Sequence, residues 1–410
     1  MSNALKSTAM RRESQLQRQR SFPSTVNRHV AIAHTADTLE AWDFCRGVAS
    51  YRPRSGPWGL RSIPMQSNSS VPYLRRLGKT ACDGVIMMPG RRQTLEPLQQ
   101  RGVKVVEVDG DGEGDQVSYP RLRMDNHHIG RLAGEHVLER GFVRVAYLGP
   151  RSDWSRDRAR GLERVVTDAR AQCRCIFAKD WRELRSEGWI LQQLQPIERP
   201  FAVMCCNDQI AACTVRAVSA AGGKIPTEIG VIGVDDRITE CIGVEPPLSS
   251  ITIERFLIGR EAARLLDELF LGKSVARHVH AFRSLQVVER ESTSSYVYEN
   301  RDVAAAIAYI HCEACNGVTI EDVASNGNIS LRTLERRFSE VVGRPPGDEI
   351  RRVRIEAVKH AIERTSLPLA DIAAHCGFSC LSSLSHSFRM ATGMSPQAFR
   401  KTIRSDGARQ

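Results

Sequence analysis

Leu369-Ala370-Asp371-Ile372-Ala373-Ala374-His375-Cys376-Gly377-Phe378-Ser379 reads as a short amphipathic helix, a glycine turn and the cap of a second helix running to about Met390. Leu369, Ile372 and Ala373 recur on one face at helical spacing, as do Leu384 and Phe388 in the helix that follows. Gly377 supplies the positive φ that a tight helix–helix turn needs, and the Ser379 hydroxyl is placed to cap the next helix. Such a pair is a helix-turn-helix, whose second helix fits the DNA major groove.

The same pattern occurs upstream. Val318–Ala324 reads as a short helix, Asn326-Gly327-Asn328-Ile329-Ser330 as turn and cap, and Leu331–Val342 as the next helix, with Leu334, Phe338 and Val341 as its apolar stripe. Gly343-Arg344-Pro345-Pro346 stops it, because proline cannot continue a helix. A long helix from Gly347 to about Arg364, with Ile350, Val353, Ala357 and Ala361 inward, then joins the two units. Residues 301–410 hold 15 Lys/Arg against 12 Asp/Glu, so pattern rather than charge marks this region.

The run Ile372 to Phe399, closing on Gly393-Met394-Ser395-Pro396 and Phe399-Arg400, resembles the signature of the arabinose-operon activator (AraC-type) family. The resemblance spans about 303–402. It implies an all-α DNA-binding domain with two helix-turn-helix units set in successive major-groove segments about 34 Å apart. Arg332, Glu335 and Arg336 then face DNA from the first recognition helix, and Ser382, Ser383 and His386 from the second. Arg332 or Arg336 suits guanine O6/N7 or a phosphate. The chain departs from the family where His386 replaces the usual Arg and Leu384 the common Phe, which leaves the second helix fewer strong contacts and more reliance on DNA shape or water. The plain alternative for these residues is an ordinary solvated helix face.

Between Arg28 and about Arg290, short apolar runs alternate with helical segments. Val30–Ala33, Gly84–Met88, Val103–Val108, Val143–Leu148, Phe201–Cys206 and Gly230–Asp235 read as buried strands. An amphipathic segment, Leu39–Ala49, follows the first, and a helix carrying Ile129, Leu132, Ala133, His136 and Val137 ends near Gly141. This alternation predicts α/β architecture with parallel sheets covered on both faces, and its length predicts two lobes. Ligands of such sheets bind outside the carboxyl ends of the strands. Arg158, Asn207 and Asp235 follow three of these strands, and an Arg, an Asn and an Asp form a chemically sensible set for a polyol. Arg158 also lies in an arginine-rich run, where a surface arginine is the plain reading, and Asp208 reads as a helix cap. Trp42 and Trp154 suit stacking on a sugar face or burial in a core. His34, Asp37 and Asp109 are positional candidates in the first lobe.

Cys206-Asn207-Asp208-Gln209, Val231-Ile232-Gly233-Val234-Asp235-Asp236 and Pro247-Leu248-Ser249-Ser250-Ile251 resemble the ligand-binding core of the lactose/galactose-repressor family and its periplasmic sugar-binding relatives. That resemblance makes Arg158, Asn207 and Asp235 the expected sugar contacts of the second lobe. Fusion to an AraC-type domain resembles the xylose-operon regulators. It implies a sugar-responsive transcription regulator of a pentose (xylose) operon. The implied partners are double-stranded operator DNA, a xylose-like monosaccharide and a second copy of the chain, with RNA polymerase as a further one.

The expected layout is a basic disordered tail over 1–28, a two-lobed sensor over 29–290, a polar linker over 291–302 and the DNA-binding domain over 303–405. The tail carries six Lys/Arg, among them Arg11, Arg12, Arg18 and Arg20, and one Asp/Glu. It has no apolar stretch of the kind a secretory signal carries, which predicts a cytoplasmic protein. No run of 18 apolar residues is present, so no membrane partner is expected. A net charge of +11 and a pI near 9.2 suit a polyanion partner. The twelve cysteines are scattered and expected to be reduced thiols, and the CxxC at Cys312 and Cys315 lacks a second half-site for zinc. No metal and no cofactor are expected. A competing reading makes Cys205-Cys206 the nucleophile of a cysteine-dependent enzyme domain attached to the AraC-type domain. The flanking Met204 and Asn207 lack the glycines of a nucleophile elbow, so a non-enzyme is expected.

Overall fold

The computed structural model describes residues 28–35, 39–65, 82–89, 92–110, 118–273, 275, 279–282, 286–298 and 300–401. The basic run through Asn27, Asp37 and the last nine positions lie outside the described residues. Two compact units divide the chain: Met1–Met124 with Glu254–Phe282, and Asp125–Ile253 with Arg283–Gln410.

In chain order, the first elements are β1 (Arg28–Thr35), α1 (Leu39–Ser50), β2 (Trp58–Met65), β3 (Gly84–Met88), α2 (Arg92–Gln100), β4 (Lys104–Val108) and β5 (Arg121–Met124). Then come α3 (Asn126–Glu139), β6 (Arg144–Pro150), α4 (Asp153–Asp168), β7 (Gln172–Ala178), α5 (Trp181–Leu184), α6 (Glu187–Leu194), β8 (Phe201–Cys205), α7 (Asp208–Ala220), β9 (Ile229–Asp235), α8 (Ile238–Ile242) and β10 (Ser249–Thr252). They are followed by α9 (Arg255–Phe270), β11 (Val279–Phe282) and β12 (Val287–Val288). The C-terminal helices are α10 (Arg301–Glu313), α11 (Ile320–Asn326), α12 (Leu331–Val342), α13 (Pro346–Arg364), α14 (Leu369–His375) and α15 (Leu381–Thr392).

Each unit holds one six-stranded sheet. The first runs β11-β5-β4-β3-β1-β2, all parallel. The second runs β12-β10-β9-β8-β6-β7, parallel except for β12 against β10. The central strands β3 and β8 are buried at every position, as strands covered on both faces must be. The apolar runs of the sequence coincide with β1, β3, β4, β6, β8 and β9 and not with the other six strands. β2 and β7 lie at sheet edges and are half-buried or exposed at most positions, so no continuous apolar run marks them. β5 begins on Arg121, which is buried beside Glu107 at 3.5 Å.

The helical C-terminal part has two cores. Val303, Ile307, Ile310, Leu334 and Phe338 form the first; Ile355, Val358, Ile362, Ile372, Leu384 and Phe388 form the second. α13 gives Ile350 to the first and Ile355, Val358 and Ile362 to the second, so one helix fixes both halves. Phe338 and Phe388 are fully buried, each worth about 1.5–3 kcal/mol of transfer free energy. Gly377 has φ +75° as the turn requires, and a Cβ there would lie 2.7 Å from the Ala314 carbonyl oxygen. Three details differ from the sequence reading. Cys380, not Ser379, occupies the cap position of α15, with Sγ accepting from the Ser383 amide. α13 begins at Pro346, where a proline has no helix hydrogen bond to lose. Val341 is exposed, and Val342 packs on the core in its place.

Residues 291–298, which the sequence presents as part of a polar linker, are tied to their surroundings. Ser292 Oγ donates to the Val231 carbonyl and accepts from the Ser249 amide, which seats this stretch against the second sheet. Tyr296 and Tyr298 pack on the first helical core.

Candidate ligand and DNA-binding sites

β6, β8 and β9 are neighbours in the second sheet and present the segments after their carboxyl ends side by side. After β6, α4 carries Trp154 and Arg158. Arg158 is only 7% exposed; its Nε donates to Asn126 Oδ1 at 2.8 Å and its Nη1 to the Cys206 carbonyl at 2.5 Å. Its guanidinium lies 4.8 Å from the Trp154 ring centroid, and Trp154 stacks on Trp181 at 6.5 Å. A buried cation is retained where hydrogen bonds replace its water, and these contacts do so.

Asn207, after β8, is the cap of α7: Oδ1 accepts from the Ile210 amide at 3.0 Å, which fixes the side chain at the strand end. Asp208 does not cap. It is fully buried, with Oδ1 accepting from the Ser250 hydroxyl at 2.6 Å and Oδ2 from the Arg237 amide at 2.7 Å. A Cβ at Gly233 would sit 2.1 Å from that carboxylate. Burial, followed by the charge of Asp235, pushes the Asp208 carboxyl up to about 8. At the end of β9, Asp235 and Asp236 have φ of 107° and 51°, so the chain turns sharply away from the sheet. Asp236 is held by Arg290 at 2.7 Å. Asp235 is half-buried, and its charge reaches Cys206 and Asp208.

The structure therefore clusters Arg158, the Cys206–Asn207 strand end and Asp235. It adds Asn126, which sequence reasoning missed. Asp125-Asn126 opens a helix directly after a strand, with Asp125 Oδ1 accepting from the His128 amide at 2.9 Å, and that cap signal could have drawn attention to it. In the first unit, His34 is buried against the Ser62 hydroxyl at 2.7 Å. Asp109 accepts from the Met124 amide at 3.1 Å and pairs with Arg255 at 3.6 Å, so its carboxylate braces β4 and β5. Trp42 is 63% exposed beneath Arg46.

Cys205 and Cys206 are fully buried, and burial raises both thiols, Cys205 to about 12. Neither is a thiolate at neutral pH, and the thiolate is the nucleophile. Among the described residues no group of three His, Cys, Asp or Glu side chains could hold a metal ion.

In the first helix-turn-helix, α11 opens with a reciprocal Thr319–Asp322 capping box, Asn328 turns the chain at φ 49°, and Ser330 caps α12. Arg332, Glu335 and Arg336 are exposed on α12, whose Leu334 and Phe338 face the core. Arg336 pairs with Glu340 at 3.1 Å; an exposed pair of this kind is worth about 0.5 kcal/mol and yields readily to a phosphate or base. On α15, Ser382 and His386 are exposed. Ser383 is half-buried instead. With Thr319, Arg351, Ser379 and Ser387 it lines a groove of about 830 Å³ between the two helix-turn-helix halves.

Comparison with known proteins finds a match in each of two regions. Residues 135–293 match the periplasmic binding protein-like domain, and residues 323–402 match a helix-turn-helix domain. The xylose operon regulatory protein of Haemophilus influenzae is 22% identical over 79% of this chain and 86% of its own length. Its Escherichia coli counterpart is 25% identical over 78% and 83%. The fold is that of a solved xylose-binding transcription activator, xylR, with a TM-score of 0.56 and 21% identity over 91% of this chain and 98% of that one. These relatives are regulators, not enzymes, and nothing in the comparisons favours a cysteine-dependent enzyme. The chain joins a periplasmic-binding-protein-like sugar-binding domain to an AraC-type helix-turn-helix domain, is homologous to the xylose operon regulatory proteins, and is a sugar-responsive DNA-binding transcription regulator.

Proposed function

We propose that the effector is a monosaccharide, with D-xylose first, held in the second lobe by Arg158, Asn207 and Asp235. The observation that carries this reading is the buried Arg158 guanidinium, packed on Trp154 at the carboxyl ends of parallel strands with two further polar groups beside it. The aromatic face suits the apolar side of a sugar ring, and charged groups give the stronger hydrogen bonds to its hydroxyls. The names of the similar operon regulators point to xylose. Calorimetry of the full-length protein with D-xylose, D-ribose and D-galactose tests the choice of sugar. Asp235→Ala is expected to weaken the cognate sugar by about 1.5–3 kcal/mol, or roughly 10- to 150-fold. Unchanged affinity would remove Asp235 from the site.

The output is operator binding, in the cytoplasm, by a homodimer whose two recognition helices per protomer enter successive major grooves, with RNA polymerase the partner at the promoter. No described helix is long and apolar enough to cross a membrane. Arg332, Glu335, Arg336, Ser382, Ser383 and His386 are the proposed DNA contacts. Arg336→Ala should cost about 1–3 kcal/mol and relax preference at one base pair if the arginine reads a base edge. If it binds phosphate, the loss is uniform across sequences and the salt slope falls by about 1. Affinity titrations on a selected operator at several salt concentrations separate the two. An Arg336→Ala protein with wild-type affinity and slope would exclude the residue from the interface.

A further inference from the structure

Helix α3 touches the proposed sugar site at one end and the DNA-binding helices at the other. Its first residue, Asn126, accepts the Arg158 Nε hydrogen bond. Its last, Glu139, pairs with Arg352 of α13 at 2.8 Å, while the Glu139 carbonyl accepts from the Tyr298 hydroxyl at 3.0 Å. Just beyond, the Arg140 carbonyl accepts from the Val297 amide at 2.8 Å, and the Tyr298 ring lies against Gly141. Tyr296 sits beneath the Arg140 guanidinium and beside the His311 ring of α10. Fourteen helical residues span about 21 Å, and a packed helix moves as a body.

We propose that α3 is the mechanical link between effector and operator, with Glu139 and Tyr298 as positioning residues that seat the DNA-binding helices on its C-terminal end. The inference rests on the sugar-site reading above. Arg158 donates to Asn126, so a sugar that recruits the guanidinium to its own hydroxyls loosens that bond and lets α3 shift. The two states differ in this contact, which is what a ligand needs in order to bias them.

Hydrogen exchange on the full-length protein, with D-xylose binding measured by calorimetry on the same samples, tests the link. The amides of Val297, Tyr298 and residues 347–352 report on the docked end, and those of α6 serve as internal reference. Saturating D-xylose should change exchange at the docked end by about fivefold or more in the wild type. In Glu139→Gln/Tyr298→Phe, which removes two polar ties far from the site, the sugar should still bind, with an affinity shifted by no more than the coupling factor of about fivefold, while the exchange response disappears. If D-xylose binds but the docked end does not respond, or responds equally in the double variant, the link is overturned and the sugar site stands. If D-xylose gives no heat with the wild type, the pentose reading fails and the sugar-free arm decides. Asn126→Ala, which removes the acceptor of Arg158, should then still alter exchange at the docked end relative to α6, and no change there overturns the link.

Discussion

Gly161→Ala, and likewise Gly130→Ala, is expected to destabilise the second lobe severely and to abolish effector binding with it. α3 and α4 cross backbone to backbone at these two residues. A methyl group at Gly130 would lie 1.9 Å from the Arg158 carbonyl oxygen, and one at Gly161 2.0 Å from the His127 carbonyl oxygen. Neither contact can be relieved by a rotamer change, because both partners are main chain. The helices must separate by more than 1 Å (on the order of the overlap with a ~3.3 Å contact), which forfeits packing along the whole crossing. Overpacking ordinarily costs about 1–3 kcal/mol, and a rigid backbone partner places these at or above that limit. The Arg158–Asn126 bond spans the same crossing, so the site is distorted even in molecules that fold. Gly188→Ala is the control: it lies on α6, where an added methyl would meet nothing within 4 Å, and removing a helical glycine there should stabilise by about 0.5–1 kcal/mol. Urea denaturation of the three variants, with sugar calorimetry on each, checks the ordering. A Gly161→Ala protein as stable as wild type, with intact sugar affinity, would contradict the packing argument. The first unit uses the same device, with Gly47 against the Phe256 carbonyl and Gly259 against the Phe44 carbonyl.

These glycines mark where sequence reasoning stops. Inside an amphipathic helix a glycine reads as a local weakness, and only the partner helix explains it. Strands β3, β4, β8 and β9 were legible because burial on both faces leaves a continuous apolar run; β2 and β7 were not, because an edge strand keeps one side wet. The helix-turn-helix halves were legible down to Gly377 and Ser330, which local geometry demands, but not to the cap of α15, which is Cys380 rather than Ser379. Arg158 and Asp235 could be nominated by position after a strand, as any ligand of a parallel sheet meets those ends. Asn126 could not, because its role appears only when α3 meets α4. The Ser-Tyr-Val-Tyr run at 295–298 carries no periodicity, so it reads as linker; its two rings are placed by α3, distant in sequence, together with α10, which follows directly.

Glu349→Gln is expected to remove about 2–3 kcal/mol of stability at neutral pH, and the deficit should shrink in acid. The carboxylate is fully buried in the first turn of α13. Oε1 accepts from His311 Nε2 at 2.9 Å and Arg352 Nη2 at 2.7 Å; Oε2 accepts from Arg344 Nε at 2.5 Å and Arg352 Nε at 3.0 Å. An amide of the same shape keeps the volume but has one acceptor oxygen and no charge, so cationic groups are left crowded around a neutral side chain. Removing one partner of a fully buried pair costs about 3–5 kcal/mol; Arg344 and Arg352 retain some water, which lowers the figure. Burial alone would raise this carboxyl, yet the hydrogen bonds from His311 and Arg352 and the charges of Arg352 and Arg344 hold it well below the ordinary range. A carboxylate with a depressed folded pKa stabilises fully above its unfolded pKa, near about 4.3, and loses that contribution as pH falls toward its folded value. Wild type and Glu349→Gln should therefore be furthest apart from about pH 6 to 7 (above that unfolded value) and converge as pH falls through about 4 to 3. Urea midpoints measured across that range test the convergence, and a difference that stayed constant down to about pH 3 would mean that the shape of the side chain, not its charge, holds α13 against α10.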